Sequence, residues 1–242
     1  MKIGRAASRG GDCLRLGSVL PLTGSSNVGE KRLLSSTDAR FMRRCFELAS
    51  AAVKRRELPF ASAIARGDEE ISAKANGVRE CRDVTRHAEV CAIVAAQQKV
   101  SCASLDGCTL YTNVEPCAFC SYAIRETRIA RVVFALASPV MGGASRWGVL
   151  HDNGLSRSLP EVFGPAPEVV AGFLADEADA ILRRSAPMMW AASRARGLFV
   201  CEATGQRSRP KSRPNGMISV ETAGVLELLC RRVFDRFSRG AA

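Results

Sequence analysis

Apolar and polar positions change period several times along the chain, and each change marks an element. From Thr37 onward, Phe41, Cys45, Leu48, Ala49, Ala52 and Val53 recur at helical spacing, with Arg43, Arg44, Glu47, Lys54 and Arg55 between them. Steps of three and four place the apolar set on one stripe, which predicts an amphipathic helix with Thr37 and Asp38 as its caps. Residues 60–65 and 70–75 read as two strands joined by the turn Gly67-Asp68, a hairpin that Asn76-Gly77 closes. Residues 87–100 are apolar nearly all round (Val90, Cys91, Ala92, Ile93, Val94, Ala95, Ala96), the pattern of a fully buried helix. Asp106-Gly107 is a turn and 108–114 a strand. Pro116 then opens a helix running to about Thr127, since its missing N–H costs nothing in a first turn. Residues 131–137 form an almost continuous apolar strand through Val132, Val133 and Phe134, the kind found inside parallel sheets covered on both faces. Strand, helix and strand at this length make a right-handed βαβ unit. Residues 138–167 read as loop with short helix, 168–173 as a fifth strand and 176–184 as a further helix.

The two ends follow no such pattern. Residues 1–36 are rich in Gly, Ser and Arg, and Arg15 interrupts the one mildly apolar stretch, a poor core for a signal peptide. Order fades after Gly197; residues 206–214 are Arg, Ser and Pro, the composition of a solvated linker. Helical spacing returns through Leu226, Leu229, Val233 and Phe237, flanked by Arg231, Arg232 and Arg236, as a basic amphipathic segment. The expected organisation is therefore a disordered extension over 1–36, one domain over 37–197, and a basic linker with an amphipathic segment over 198–242.

Totals sharpen this picture in three ways. A chain of 242 residues that is 47% apolar suits one sizeable α/β domain with extensions, and no run of eighteen apolar residues suggests a membrane span. The formal charge of +11 sits in the ends. Residues 1–36 carry six Lys/Arg against two acids and 191–242 ten against four, whereas 37–190 carry nineteen against eighteen. A polyanion-binding domain is expected to carry its basic patch on itself, so this distribution speaks against such a role for the central domain. Of ten cysteines only Cys117 and Cys120 have metal-like spacing, and most others lie in apolar segments as reduced thiols of a cytosolic protein would.

The chemistry gathers between His87 and Cys120. One imidazole and two thiolates are three ligands that zinc accepts, leaving its fourth tetrahedral position for water. Cys117 and Cys120, three apart, face the same way from a helix start, where the partial positive charge favours thiolate. Zinc lowers the pKa of bound water toward neutrality, and Glu89, two residues after His87, is free of metal to move protons. The bland alternative, buried thiols with a core histidine and a surface glutamate, holds for each residue singly. It does not account for His87-x-Glu89 followed about thirty residues later by Pro116-Cys117-x-x-Cys120.

These residues resemble the cytidine/deoxycytidylate deaminase superfamily, in the branch of bacterial guanine deaminases and tRNA adenosine deaminases. The likeness spans residues from about 40 to 190. Its pieces are Pro59-Phe60, Asn76, Thr85-x-His87-Ala88-Glu89-Val90, Cys108-Thr109-Leu110-Tyr111-Thr112, Glu115-Pro116-Cys117-x-x-Cys120 and Arg128-Ile129-x-Arg131-Val132-Val133. It implies a three-layer α/β/α fold with a five-stranded mixed sheet, usually dimeric, and Zn2+ held by His87, Cys117 and Cys120, with Glu89 as proton shuttle. It also implies that Asn76 hydrogen-bonds the substrate, although an Asn-Gly turn explains that residue equally well. Arg86 stands where these families have a small residue and Tyr122 where glycine is common, so both are candidate substrate contacts. The guanine deaminases carry an acidic residue after the fourth strand; here that region reads Ser138-Pro139-Val140. Trp147, His151 and Asp152 are further candidates for the pocket lining, with packing the preferred reading of Trp147.

Three readings follow. The first is hydrolysis of the exocyclic amine of a free base, nucleoside or related aminated heterocycle. The second is deamination of adenosine in tRNA, against which the nearly neutral centre counts and for which the basic C-terminal end speaks. The third is a zinc-stabilised binding protein, against which the intact Glu89 argues.

Overall fold

The computed structural model describes residues 34–201. In chain order the elements are α1 (Ser36–Lys54), β1 (Ala61–Arg66), β2 (Glu69–Ala75), α2 (Val78–Cys81), α3 (Ala88–Val100), β3 (Thr109–Val114), α4 (Ala118–Glu126), β4 (Arg131–Leu136), a 3₁₀ turn (Val149–His151), α5 (Asn153–Ser158), β5 (Glu168–Ala171), α6 (Ala175–Ser185) and α7 (Pro187–Ala195). The strands form one sheet in the order β2-β1-β3-β4-β5. β1 pairs antiparallel with β2 and β3, while β3, β4 and β5 run parallel, so the sheet is mixed as expected.

Period-two alternation sends each strand to both faces. Val133 and Ala135 of β4 pack with Phe41, Met42, Cys45, Ala178 and Leu182, placing α1 and α6 on one side. Val132 and Phe134 pack with Ala92, Ile93, Ala96 and Ile124, placing α3 and α4 on the other. Every residue of β4 is buried, which is why its sequence runs apolar without interruption. Three layers result, and the two helices that carry the chemistry share one face.

Several boundaries differ from expectation for local reasons. α1 is capped by Ser35, not Thr37 or Asp38; Asp38 is the third residue of a capping box and returns a bond to the Ser35 N–H. α3 buries Ala88, Glu89, Ala92, Ile93 and Ala96, but Val94 is 42% exposed, so the helix is not buried all round. Its small residues suit either side, which makes apolarity a weak guide to burial. Pro116 lies one position before the cap Cys117 rather than inside α4. α7, unpredicted, begins with Pro187 in its first turn and adds Met189 and Trp190 to the periphery of the first core. Phe199 is buried and Val200 exchanges backbone bonds of 3.1 and 2.9 Å with Ala137, so packing continues beyond residue 197. Seven of the eight described cysteines are free thiols. The expected extensions 1–36 and 198–242, with the amphipathic segment 220–237, lie for the most part outside the described residues. No helix among the described residues is long and apolar enough to cross a membrane.

Asp38 joins α1 to the sheet. Its carboxylate accepts from Arg131 Nη1 at 2.6 Å and from Tyr111 Oη at 2.8 Å, and both members of the ion pair are buried. Burial alone would raise its pKa, but the donors Arg131, Ser35 and Tyr111 outweigh it and hold the carboxyl below the usual value. Because the folded pKa is depressed, the pair contributes fully above the unfolded value of about 3.9 and its contribution is lost as pH falls through the folded one. Asp38→Asn is expected to cost about 3 kcal/mol, by leaving the buried Arg131 with only the half-exposed Glu168, 3.4 Å away, to offset its charge. Urea unfolding at pH 7 and pH 3 checks this: the gap between wild type and variant narrows at the lower pH.

Candidate metal centre and active site

Two helix starts meet at the same edge of the sheet. His87 occupies the N-cap position of α3, with φ −63° and ψ 146°, and Glu89 sits in the first turn. Cys117 occupies the N-cap position of α4, with φ −67° and ψ 171°, and Cys120 follows one turn later, fully buried. Neither side chain makes the usual capping bond to its helix, and both turn toward one another.

The three side chains converge. His87 Nδ1 lies 3.5 Å from Cys117 Sγ and 3.4 Å from Cys120 Sγ, and the two sulfurs are 3.6 Å apart. Among the described residues this is the one cluster of potential ligand atoms close enough to share an ion. Tetrahedral zinc with its usual bond lengths requires about 3.8 Å between two sulfurs and about 3.6 Å between sulfur and nitrogen. The observed spacings match to within about 0.2 Å, and the nitrogen–thiolate donor set is one that zinc favours. The residues fit the ion.

The electrostatics agree with that fit. Hydrogen bonding from Cys120 and from His87 brings the Cys117 thiol down to about 4, against burial, which acts the other way. Its bond to Cys117, together with burial, pushes the Cys120 thiol well up. His87 is raised, chiefly by its bond to Cys117. Glu89 is buried, with Oε2 3.5 Å from Cys120 Sγ and Oε1 3.5 Å from Thr112 Oγ1. Burial pushes its carboxyl above the ordinary range, which suits a group that must both take and return a proton.

The other expected contacts divide. Asn76 is buried, and its Nδ2 donates to Glu57 Oε1 at 3.0 Å, leaving the side-chain oxygen without a hydrogen bond among the described residues. Arg86 is exposed and pairs with Asp83 at 3.1 Å. Tyr122 is exposed, with its ring 6.1 Å from that of Phe163. Among the described residues, neither Arg86 nor Tyr122 makes a hydrogen bond, ion pair or ring contact with the three ligands. Phe119 does touch the centre, its ring edge-on to His87 at 5.7 Å. Trp147 is exposed, against the packing expected of it.

Three buried charged residues hold the surroundings, and none was singled out for that work. Glu57 accepts from Leu58 N, Arg79 N and Glu80 N as well as from Asn76; burial would raise its pKa, yet these bonds hold it down. Glu115 accepts from the backbone of Ser138, Ala144 and Ser145 and from the Ser145 hydroxyl, fastening the loop after β4 onto the start of α4. Gly142 and Gly143 allow that approach: a Cβ on Gly142 would overlap the Glu115 carboxylate, and one on Gly143 the Ser121 hydroxyl. Arg125, fully buried in α4, donates to the carbonyls of Val149, Asp152 and Gly164 and to Ser156 Oγ, tying down the 149–164 segment. Glu115 stands within the quoted motif, but nothing in its sequence surroundings says that it organises a loop thirty residues on.

A mixed five-stranded sheet with a His-Cys-Cys cluster and a buried glutamate at two helix starts defines a zinc-dependent deaminase fold. The profile of the cytidine and deoxycytidylate deaminase zinc-binding region matches residues 35–136. A tRNA-specific adenosine deaminase of Aquifex aeolicus is 33% identical over 129 residues, 53% of this chain and 85% of that protein. The protein of that name from Agrobacterium fabrum is 33% identical over 144 residues, 60% and 90% of the two chains. Among solved structures, a deaminase from a study of A-to-I editing at the wobble position of transfer RNA superposes with a TM-score of 0.54 at 29% identity, covering 60% of this chain and 99% of that one. A mutant protein solved in complex with 8-azaguanine superposes with a TM-score of 0.52 at 25% identity, covering 68% and 97%. The chain belongs to the cytidine/deoxycytidylate deaminase superfamily and carries that family's zinc-binding region.

Proposed function

We propose that the protein hydrolyses the amine of an adenine base presented in tRNA, releasing ammonia and leaving inosine. The observation that carries the reaction is the buried Glu89 carboxylate against the His87–Cys117–Cys120 cluster, since a site kept only for metal has no use for it. Zinc held by these three residues supplies Lewis acidity and makes water acidic near neutral pH. Glu89 takes a proton from the attacking water and delivers it to the ring nitrogen beside the amine-bearing carbon. It then returns a second proton to the departing amine, so water adds, the C–N bond breaks and ammonia leaves. Asn76, with its nitrogen committed to Glu57, offers its oxygen as an acceptor for a substrate N–H. Arg86 and Tyr122, both exposed, serve as outer contacts to the nucleic acid rather than as the inner wall of the pocket. By the family's habit the working unit is a homodimer.

Adenine in RNA is favoured over free guanine by two observations. The relatives of high coverage bear the name tRNA-specific adenosine deaminase. After β4, Ser138 spends its N–H on Glu115 and the following residues Pro139 and Val140 offer no acid. The free-base reading retains one support, the likeness to the protein solved with 8-azaguanine.

The test compares purified protein on an anticodon stem-loop RNA with free adenosine, adenine, guanine, cytosine, pterins and triazines, reading ammonia release and inosine. Inosine in the hairpin is the expected result; ammonia from a free heterocycle alone replaces the RNA reading with the small-molecule one. A fragment spanning 34–201 keeps Ser35 and Val200, which the narrower boundaries 37 and 197 would remove. It is expected to fold and bind zinc. Its KM for the hairpin should rise about tenfold at physiological salt, because the removed ends carry most of the net charge and hence phosphate contacts.

A further inference from the structure

The two tryptophans of this chain stand in opposite circumstances. Trp190 is partly buried, packs against the first core and donates its Nε1–H to Asp179 at 2.8 Å. Trp147 is 59% exposed and its indole N–H has no hydrogen bond among the described residues. Yet Trp147 does not stand on a loose loop. Its backbone N–H bonds Gly142, which pairs with the metal ligand Cys117, and Gly143 N–H bonds the Pro116 carbonyl at 2.8 Å. The four bonds of Glu115 lock the same loop. The result is a large aromatic held in fixed relation to the metal centre and left open to solvent.

Arg146 completes the arrangement. Its guanidinium carbon lies 5.4 Å from the Trp147 ring centroid, and it enters no ion pair among the described residues. An aromatic face joined to an unneutralised arginine is what single-stranded nucleic acid requires: a surface for a base to stack on and a cation for the adjoining phosphate. A free base small enough to be enclosed at the zinc has no need of either. On the RNA reading above, we propose that Arg146 and Trp147 form a stacking platform beside the metal centre, holding the nucleotide next to the adenosine being deaminated. Recognition of unpaired RNA by splayed, stacked bases makes this the part that distinguishes a nucleotide in a loop from one in solution.

Intrinsic fluorescence isolates the residue, because Trp147 and Trp190 are the only indoles. A full-length Glu89→Ala/Trp190→Phe protein is titrated with the stem-loop RNA, and Trp147 emission is expected to quench in step with binding. In kinetics, Trp147→Ala should raise KM for the hairpin about tenfold to a hundredfold, the range of one base stack, with kcat within about threefold. Trp147→Phe should restore most of the loss, which a disturbed fold would not allow. Arg146→Ala should reduce the slope of log affinity against log salt by about 0.7, one phosphate contact to a single strand. Hairpin deamination with no quench and no change of KM in Trp147→Ala overturns the platform and leaves the RNA reading standing. No binding or deamination of the hairpin by wild type overturns both. Emission that follows protein dilution rather than RNA assigns the indole to contact between copies and likewise overturns the platform.

Discussion

Glu89→Ala is expected to lower turnover by ~10²–10⁴-fold, the usual loss when a general acid/base is removed, with zinc content unchanged. The reasoning is geometric. Glu89 lies beside Cys120 but is not needed to complete a three-ligand set, so its removal leaves His87, Cys117 and Cys120 at their spacings. The fold is not expected to suffer, because the replaced group is a buried carboxylate whose removal leaves no charged partner behind. Metal analysis, circular dichroism and inosine formation on one preparation check all three statements. Turnover near the wild-type rate would remove Glu89 from its role, and loss of zinc would make it a ligand instead.

How much of this was legible in the sequence depends on how far each feature reaches. Period and turn chemistry are local, and they found all five strands to within about two residues. The metal motif was legible because its spacing follows from helix geometry: Cys117 and Cys120 on one turn, His87 and Glu89 on another. That the two turns meet rests on the parallel β3–β4 pair, which the βαβ pattern implied, and on the face that α3 and α4 share, which that pattern did not reach. Features built on one residue reaching across the chain were invisible. Arg125 reads as an ordinary helix arginine, yet it is buried among carbonyls 24 to 39 residues away. Glu57 resembles a surface residue before a proline, yet it closes on backbone of α2 and on Asn76. Trp147 failed in the other direction, since a large apolar residue is expected to pack and the structure leaves this one 59% exposed. The misjudged exposure of α3 has a different root: alanine and valine carry little information about which side of a helix meets solvent.

The same three-ligand set predicts the effect of removing it. Cys117→Ala/Cys120→Ala is expected to abolish both zinc binding and turnover, leaving one imidazole where three donors had been. An ion held by this set would join the starts of α3 and α4, which otherwise meet through packing and the Glu89–Cys120 contact, so zinc should also stabilise the fold by mass action. At a free concentration a thousand times the dissociation constant that contribution is about 4 kcal/mol. Thermal melts of wild type should therefore fall when a chelator is added and recover with zinc, whereas the double variant should melt at one temperature under all three conditions. Acid should imitate the chelator in wild type, because protons compete with the ion for the thiolates and the imidazole. Zinc retained by the double variant would mean that another set of residues holds the metal. A wild-type melting point indifferent to zinc would mean that the ion adds chemistry without joining the two helices.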